Sequence, residues 1–219
     1  PKFFGGKKLH SGIELVSELG NDLSVDYIIF VVPFQRLRSA MATIHKSEVQ
    51  FTGVVCASKG LELESNALAH QIARDVFGVS VPFAQISGPN FASEVFDDKP
   101  AAVAIGGSTD DITKVISGMM SGDRFRPYVT KDMVGVEIGG ALKNIIAIAA
   151  GISDGMGLGS NARAALITRG LGEIARFGEA LGADPQTFMG LSGMGDLVLT
   201  CTDDQSRNRR FGIALTRLG

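Results

Sequence analysis

The chain has 219 residues, of which 45% are hydrophobic and 20% are charged, and its formal net charge at pH 7 is -2. This composition is typical of a water-soluble globular protein, and the slight acidic excess argues against a nucleic-acid binder that depends on a basic surface. Cys56 and Cys201 lie far apart in apolar stretches, which predicts free thiols in a reducing compartment. The first residues, PKFFGGKKLH, lack the apolar core of a signal peptide, so we expect a cytoplasmic location.

The first part of the chain alternates short apolar runs with helical patterns, which is typical of an α/β fold with a mainly parallel sheet. The first run, DYIIFVV, is apolar enough for a strand that is buried on both faces. The predicted strands are 26–32, 52–57, 83–86, 101–105 and 125–129. The predicted helices are 35–45, 61–77, 91–96 and 110–120.

After Thr130 the strand pattern stops, so we place a domain boundary between 1–130 and 131–219. The glycine-rich stretch 151–161 is interpreted as a connection between two helices, with Asn161 as a candidate N-cap. It is not a phosphate loop, because it follows a helix and lacks the GK[ST] ending. The predicted helices of this part are 134–152 and 161–181, short pieces at 185–190 and 196–200, and a last one from about 206.

The helix predicted over 134–152 is unusual, because within 138–152 its only polar side chains are Lys143 and Asn144. A helix that is apolar on all sides is expected at the centre of a domain. It is shorter than the roughly 20 residues that span a bilayer and carries a lysine near its middle, so we predict no membrane span. Four small residues lie on the helix face of Lys143, three, four or seven positions away from it: Gly139, Gly140, Ala147 and Ala150.

Two interpretations of Lys143 are open. In a dry groove of small residues, burial disfavours the charged amine, and the lysine can then exchange a proton near neutral pH. Alternatively, the stem lies along the core and the ammonium group reaches water at its edge.

Three predicted strands end in short turn motifs: VPF at 32–34, SKG at 58–60 and SGP at 87–89. In open α/β sheets, ligands bind outside the carboxyl ends of the strands, so these turns are expected to meet at one crevice. Glycine lets the backbone approach a ligand closely, and the helix that follows Pro89 offers free N–H groups to an anion. Lys59 could there reach a phosphate or a carbonyl oxygen. The alternative is ordinary turn chemistry with a surface lysine.

Two later motifs also have two interpretations each. Asp196, in GMGDLVLTCT, lies where acidic residues favour a helix start, but it could instead pair with a buried cation, for which Lys143 is the candidate. The arginines of SRNRRFG are typical of a solvated helix face. However, Ser206, Arg207 and Asn208 combine a cap hydroxyl, a planar guanidinium and an amide, a set that suits a phosphate dianion.

Taken together, IGGALKNIIAIAAGI, NARAALITRG, GMGDLVLTCT and SRNRRFG resemble, in order and spacing, the NAD(P)-dependent glycerol-3-phosphate dehydrogenases of the bacterial type. SKG and SGPNFASE resemble the sheet-domain motifs of the same family. The resemblance implies a partial Rossmann-like sheet domain over 1–130, the remainder of a dinucleotide-binding domain, and an all-helical substrate and catalytic domain over 131–219. It implies NAD or NADP as cofactor and dihydroxyacetone phosphate and sn-glycerol 3-phosphate as small-molecule substrates, used in glycerophospholipid synthesis. It admits a homodimer, and we predict neither a nucleic-acid partner nor a metal site.

The resemblance also assigns roles to individual residues. Lys143 matches the catalytic proton acceptor and donor. The positions that match substrate contacts are Lys59, Gly88, Asn90, Asp196, Ser206, Arg207 and Asn208. The positions that match cofactor contacts are Lys59, Ala92 and Arg207.

Two departures from the family pattern qualify these expectations. The N-terminal GxGxxG unit is absent, the chain begins without Met, and it ends at Gly219 within a helical pattern. We therefore expect a fragment that binds the cofactor poorly and is inactive or nearly so by itself. Position 90 is Asn where the family usually has Ser or Thr.

Two other functions are alternatives to this one. The first is a non-catalytic dehydrogenase-like module that senses a phosphorylated metabolite. The second is a dehydrogenase of the 6-phosphogluconate or hydroxyacid type. The preference between NAD and NADP is left open.

Overall fold

The computed structural model describes residues 8–17, 23–47 and 49–217. Residues 1–7, on which the signal-peptide prediction mainly rests, and Gly219 lie outside this part of the chain. The strands are β1 (Ser24–Phe30), β2 (Gln50–Cys56), β3 (Phe83–Ser87), β4 (Ala101–Gly107) and β5 (Phe125–Thr130). The helices are α1 (Leu37–Lys46), α2 (Ala69–Phe77), α3 (Ala92–Phe96), α4 (Asp110–Met120), α5 (Met133–Gly155), α6 (Gly159–Ala180), α7 (Asp196–Thr202) and α8 (Arg207–Leu215). Short 3-10 or π-helical turns lie at Phe34–Arg36, Pro185–Met189 and Leu191–Gly195.

The five strands form one sheet in the order β1-β2-β3-β4-β5. Three neighbouring pairs are parallel, and only the β3–β4 pair is antiparallel. The prediction of a mainly parallel sheet is therefore confirmed. Because β1, β2 and β3 run in the same direction, the turns that follow them lie at one edge of the sheet.

The two faces of the sheet are buried by different helices. Val54 of β2 packs with α1 and α2, whereas the next residue, Val55, packs with α4 on the opposite face, and both are fully buried. This is the alternation that a strand imposes on its side chains. β1 differs from the prediction of a strand buried on both faces, since it lies at the edge of the sheet and Ile29 is 53% exposed.

Residues 61–68 do not form the first half of a long helix, so the prediction of a helix over 61–77 is wrong there. α2 begins at Ala69, and Leu68 before it is extended. Asn66 has a positive φ of 58°, a conformation that interrupts a right-handed helix and that asparagine tolerates. The carboxylate of Glu62 accepts hydrogen bonds from Ser65 and from Arg38 of α1, which hold this loop against α1.

The connection between the two long helices is shorter than predicted. α5 extends to Gly155 and α6 begins at Gly159, so Asn161 lies inside α6 and is not its N-cap, a position that Leu158 occupies. The reversal uses the positive φ of Gly157 (71°) and of Gly159 (85°), which glycine adopts without steric cost.

α5 lies at the centre of the molecule, where it contacts β3, β4, α6, α7 and α8. With 23 residues it is longer than the predicted 134–152, and by length and composition alone it could cross a membrane. Half of its most apolar segment is buried inside the protein, as in the core helix of a soluble protein. A Cβ on Gly139 would collide with the carbonyl oxygen of Ser192, and one on Gly151 with that of Arg209. Glycine at these positions lets neighbouring backbones approach α5 directly. The division of the chain into two domains near Thr130 stays a prediction.

Candidate active site

The three predicted turns meet at the carboxyl edge of β1, β2 and β3, and they are joined by hydrogen bonds. Ser58 Oγ donates to the carbonyl oxygen of Val32 (2.6 Å) and accepts from the Val32 N–H (3.1 Å). The buried Gln85 side chain on β3 donates to the Ser58 carbonyl oxygen (3.1 Å). These contacts hold the segment that carries Lys59 next to the turn that carries Gly88.

Lys59, Lys143, Asp196 and Thr200 form a compact group, here called the lysine–aspartate cluster. Each carboxylate oxygen of Asp196 binds one amine: Oδ1 accepts from Lys143 Nζ (2.5 Å) and Oδ2 from Lys59 Nζ (2.7 Å). The Asp196 side chain is only 2% exposed, and those of Lys143 and Lys59 are 11% and 22% exposed. Both interpretations of Asp196 therefore hold: it pairs with Lys143, and it is the first residue of α7.

Thr200 completes the cluster from the next turn of α7. Its hydroxyl donates to the carbonyl oxygen of Asp196 (2.6 Å) and accepts from Lys143 Nζ (3.1 Å). Because the hydroxyl proton is used on the backbone, an oxygen lone pair faces the ammonium group. Thr200 was not predicted as a site residue. Its spacing of four residues from Asp196 places both on one helix face, and this spacing could have indicated it.

The environment of Lys143 changes its acidity. Its pKa is lowered from 10.5 to about 8, first because burial disfavours the charged amine and second because the positive charge of Lys59 lies nearby. The carboxylate of Asp196 acts in the opposite direction. Of the two interpretations of Lys143, the structure therefore supports the buried amine that can exchange a proton near neutral pH.

The first turn of α8 lies beside the same stretch of α5. Ser206 caps the helix, since its Oγ accepts from the N–H of Arg209 (3.2 Å). Asn208 Nδ2 donates to Oδ1 of Asn144 (2.7 Å), the residue that follows Lys143. Arg207 is exposed, so its guanidinium is accessible to a ligand.

The turn after β3 brings Gly88 and Asn90 to the start of β4. A Cβ on Gly88 would lie 2.9 Å from the carbonyl oxygen of Ala102, and Asn90 Nδ2 donates to that same oxygen (3.0 Å). Gly88 also contributes its carbonyl oxygen to Lys59 Nζ (3.1 Å). Ala92 opens α3 and is exposed. Within the described residues, no hydrogen bond or ion pair joins Arg207 to the lysine–aspartate cluster.

Comparisons with known proteins match both halves of the chain to one family. Sequence models of the N-terminus and the C-terminus of NAD-dependent glycerol-3-phosphate dehydrogenase match residues 1–113 and 132–219. This chain belongs to that family. A glycerol-3-phosphate dehydrogenase [NAD(P)+] of Halorhodospira halophila is 50% identical over 190 residues, which are 87% of this chain and 57% of that protein. The corresponding protein of Xanthomonas campestris pv. campestris (strain B100) is 43% identical over 218 residues, which are 99% of this chain and 64% of that protein.

The fold comparison agrees with this family. The crystal structure of glycerol-3-phosphate dehydrogenase from Coxiella burnetii has a TM-score of 0.84 and 46% identity, and covers 88% of this chain and 58% of that one. This chain therefore spans about 57–64% of the length of these relatives. These matches favour the glycerol-3-phosphate dehydrogenase family over dehydrogenases of the 6-phosphogluconate or hydroxyacid type.

The residues present offer polar groups for part of a bound NAD(P), but not for the whole cofactor. Ser87 Oγ and Asn90 Oδ1 are buried and have no hydrogen-bond partner within the described part of the chain, so they can bind a ligand's polar groups. No GxGxxG sequence occurs anywhere in the chain, so a pyrophosphate cradle of that type is missing from it. The cofactor contacts expected at Lys59, Ala92 and Arg207 stay a prediction and would hold only part of the dinucleotide.

A pair that joins α5 to α2 was not predicted from the sequence. Glu137 on α5 accepts from the backbone N–H of His70 (2.8 Å) and contacts its Nδ1 (2.5 Å). Burial raises the pKa of Glu137, and His70 acts against that shift. The sequence signal for this pair was Glu137 itself, a single glutamate directly before the long apolar run of α5. The pair ties α2 to the helix that carries Lys143.

Proposed function

We propose that the protein interconverts dihydroxyacetone phosphate and sn-glycerol 3-phosphate with NAD(H) or NADP(H), the step that supplies glycerol 3-phosphate for glycerophospholipid synthesis. The observation that carries the proposal is the buried Lys143, with its lowered pKa, on a carboxylate shared with Lys59 at the carboxyl edge of the parallel strands. The names of the relatives support the same reaction.

Lys143 is the proposed proton donor in the direction of ketone reduction. NAD(P)H, when bound, supplies the hydride to the carbonyl carbon. The oxygen then gains negative charge, and the Lys143 ammonium group gives it a proton. A pKa of about 8 makes this group a stronger acid than an ordinary lysine and still leaves it mostly protonated at pH 7. In the reverse direction the neutral amine accepts the proton.

The hydrogen bonds of the two lysines leave room for one ligand oxygen. An ammonium group has three N–H donors. Lys143 uses two of them on Asp196 and Thr200, and Lys59 uses two on Asp196 and the Gly88 carbonyl. Each amine thus keeps one N–H for the substrate oxygen. Two positive groups held in place before the reaction stabilise the charge that develops there.

The substrate phosphate is assigned to the first turn of α8. Arg207 can bind a phosphate with two parallel hydrogen bonds, and the free N–H groups at the helix start favour an anion. Asn208 is oriented by Asn144, next to Lys143. Gly88 and Asn90 would contact the remaining part of the substrate, with Asn90 Oδ1 as the free acceptor.

Other features of the protein stay predictions of this proposal. We place the protein in the cytoplasm, without a nucleic-acid partner, and we retain the homodimer, which light scattering on the purified complete protein would test. The 219-residue chain alone is expected to be inactive or weak, because it carries no GxGxxG unit. Normal turnover by this chain alone would contradict that expectation.

The experiment that tests the function is a substrate panel on the complete protein. Oxidation of NADH and of NADPH is followed with dihydroxyacetone phosphate, with unphosphorylated dihydroxyacetone and with a keto acid. We expect turnover of dihydroxyacetone phosphate, much slower turnover of dihydroxyacetone and none of the keto acid. Binding of sn-glycerol 3-phosphate without any turnover would contradict the proposed enzymatic activity and would support a non-catalytic module that senses a phosphorylated metabolite.

A further inference from the structure

The helix that carries the proposed phosphate-binding turn is attached to the rest of the protein by a group of charged side chains away from the lysine–aspartate cluster. Asp154, near the end of α5, accepts from Arg163 of α6 (2.9 and 3.0 Å) and from Arg209 of α8 (Nε, 2.8 Å). Arg209 Nη1 also donates to Asp204 (2.5 Å). The side chains of Asp154 and Arg209 are each only 11% exposed. We call Asp154, Arg163 and Arg209 the Asp154 network.

Arg209 connects this network directly to the phosphate-binding turn. Its guanidinium binds Asp154 with Nε and Nη2 (2.8 and 2.7 Å), while its backbone N–H binds the cap oxygen of Ser206 (3.2 Å). Residues 207 and 208 lie between these two anchors. A displacement of the Arg209 side chain would therefore move the turn that carries Arg207 and Asn208.

The face of α5 that contacts α8 also carries Lys143, so the Asp154 network and the proposed proton donor are connected through one helix. α8 is attached at three points along α5: by the hydrogen bond of Asn208 with Asn144, by the backbone contact of Arg209 with Gly151, and by the ion pair of Arg209 with Asp154. The α5 residues at these points, 144, 151 and 154, are seven and three positions apart, which places them on one face of the helix. The rigid helix thus sets the distance between Lys143 and the turn of α8.

We propose that Asp154, acting through Arg209, positions the phosphate-binding turn relative to Lys143, and so determines the affinity for the phosphorylated end of the substrate. This inference rests on the proposed function for the identity of the substrate. Without the Asp154 carboxylate, two mostly buried guanidinium groups would lie side by side without their shared partner, and α8 would move away from α5. Arg207 and Asn208 would then miss the phosphate, while the lysine–aspartate cluster, held by α7 and the Lys59 turn, would keep its geometry.

The test compares Asp154→Asn with the wild type in the complete protein. We expect the KM for dihydroxyacetone phosphate to rise by about tenfold to a hundredfold, the range for loss of a charge-assisted hydrogen bond. We expect kcat to change by less than about threefold, because the interactions at the reacting oxygen remain. Activity with dihydroxyacetone, which has no phosphate, should be unchanged. Asp154→Glu, which retains the charge, should recover part of the loss.

Two control variants on α6 separate positioning from general stability. Glu173→Gln removes an exposed ion pair with Arg176 and should change neither KM nor kcat. Ile174→Val removes a methyl group from the helical core and should lower the melting temperature without changing the KM. If Asp154→Asn does not fold, Arg209→Lys and Arg163→Lys carry the test, with a smaller increase in KM expected for Arg163→Lys.

A binding measurement keeps this inference separate from the proposed reaction. Titration with sn-glycerol 3-phosphate should show the same tenfold or greater weakening in Asp154→Asn. If the wild type binds this ligand but turns nothing over, the proposed reaction falls and the inference stands on the binding difference. Equal binding by wild type and variant, no phosphate binding by the wild type, or an equal loss with phosphorylated and unphosphorylated substrates would overturn the inference.

Discussion

The two longest helices are almost equal in length, yet two of their ion pairs lie in opposite environments. α5 has 23 residues and α6 has 22, and they pack against each other. α5 carries Glu137 and Lys143 in the interior, where each pairs with a residue of another element. On α6, Glu173 and Arg176 form an exposed pair with each other, with side chains 67% and 65% exposed.

The role of a charged side chain on these helices is therefore set more by its surroundings than by its residue type. α5 is covered along its length by strands and helices, so its lysine loses water and its pKa falls to about 8. On α6, the buried positions are Gly170, Leu171, Ile174 and Gly178, which form one stripe, and the charged residues from Arg169 onward are exposed. Pairs of variants on the two helices therefore test the account.

The largest expected effect is on catalysis in Lys143→Met. Removal of the proton donor should lower kcat for dihydroxyacetone phosphate reduction in the complete protein by about 10²–10⁴-fold. The variant should still fold, because Asp196 keeps its bond to Lys59 and the cost of burying the amine disappears. The control Arg176→Met on α6 should retain wild-type activity. Steady-state kinetics measure both, and more than a tenth of wild-type kcat in Lys143→Met would exclude Lys143 as the proton donor.

The second effect is on stability in Asp196→Asn. This change leaves the amines of Lys59 and Lys143 without their shared carboxylate, and breaking a buried pair costs about 3–5 kcal/mol. The matched control Glu173→Gln, in the exposed pair of α6, should cost less than about 1 kcal/mol. Urea denaturation at pH 7 gives both values. Similar losses in the two variants would show that burial does not distinguish the helices.

A smaller effect is expected from the same substitution, Gly to Ala, on the two helices. In Gly151→Ala on α5, the new Cβ would collide with the carbonyl group of Arg209, so α8 must shift at a cost of about 1–3 kcal/mol. In Gly172→Ala on α6, the new Cβ meets only the Arg176 side chain at 3.7 Å, and alanine should stabilise the helix by about 0.5–1 kcal/mol. Thermal denaturation of the two variants should give opposite signs. The same sign in both would contradict the close contact of α5 with α8.

Much of the candidate site was predictable because it depends on local sequence. The turns after β1, β2 and β3 follow apolar runs, and parallel strands bring their ends together. Lys143 is evident as a charge in an apolar helix, and Asp196 as the acidic residue of a later motif. The roles of individual residues toward substrate and cofactor stay predictions.

Other features depend on contacts that a local pattern does not contain. The first part of the helix predicted over 61–77 is a loop, in which Glu62 pairs with Arg38, 24 residues away, and Asn66 has a positive φ. The antiparallel pairing of β3 with β4 has the same apolar pattern as a parallel one. The Asp154 network joins three helices, and no spacing in the sequence relates Asp154 to Arg209.

Burial and the nearby charge of Lys59 lower the pKa of Lys143 to about 8, and the pH dependence of kcat/KM measures whether this group is the acid of the reaction. Dihydroxyacetone phosphate reduction by the complete protein should fall tenfold per pH unit above about pH 8, as Lys143 loses its proton. Oxidation of sn-glycerol 3-phosphate, which needs the neutral amine, should rise up to about pH 8 and then level off. Stability should follow a related trend. Between about pH 8 and 10.5 the unfolded chain binds a proton at this lysine that the folded chain has released, so the contribution of Lys143 to stability rises with pH.

The decisive comparison is the same kcat/KM profile in Lys59→Met. Because the charge of Lys59 lowers the pKa of Lys143, its removal should move the fall in reduction to higher pH, whatever the loss in absolute rate. A profile that is flat from pH 7 to 10 in the wild type, or a fall that stays at the same pH in Lys59→Met, would contradict the account.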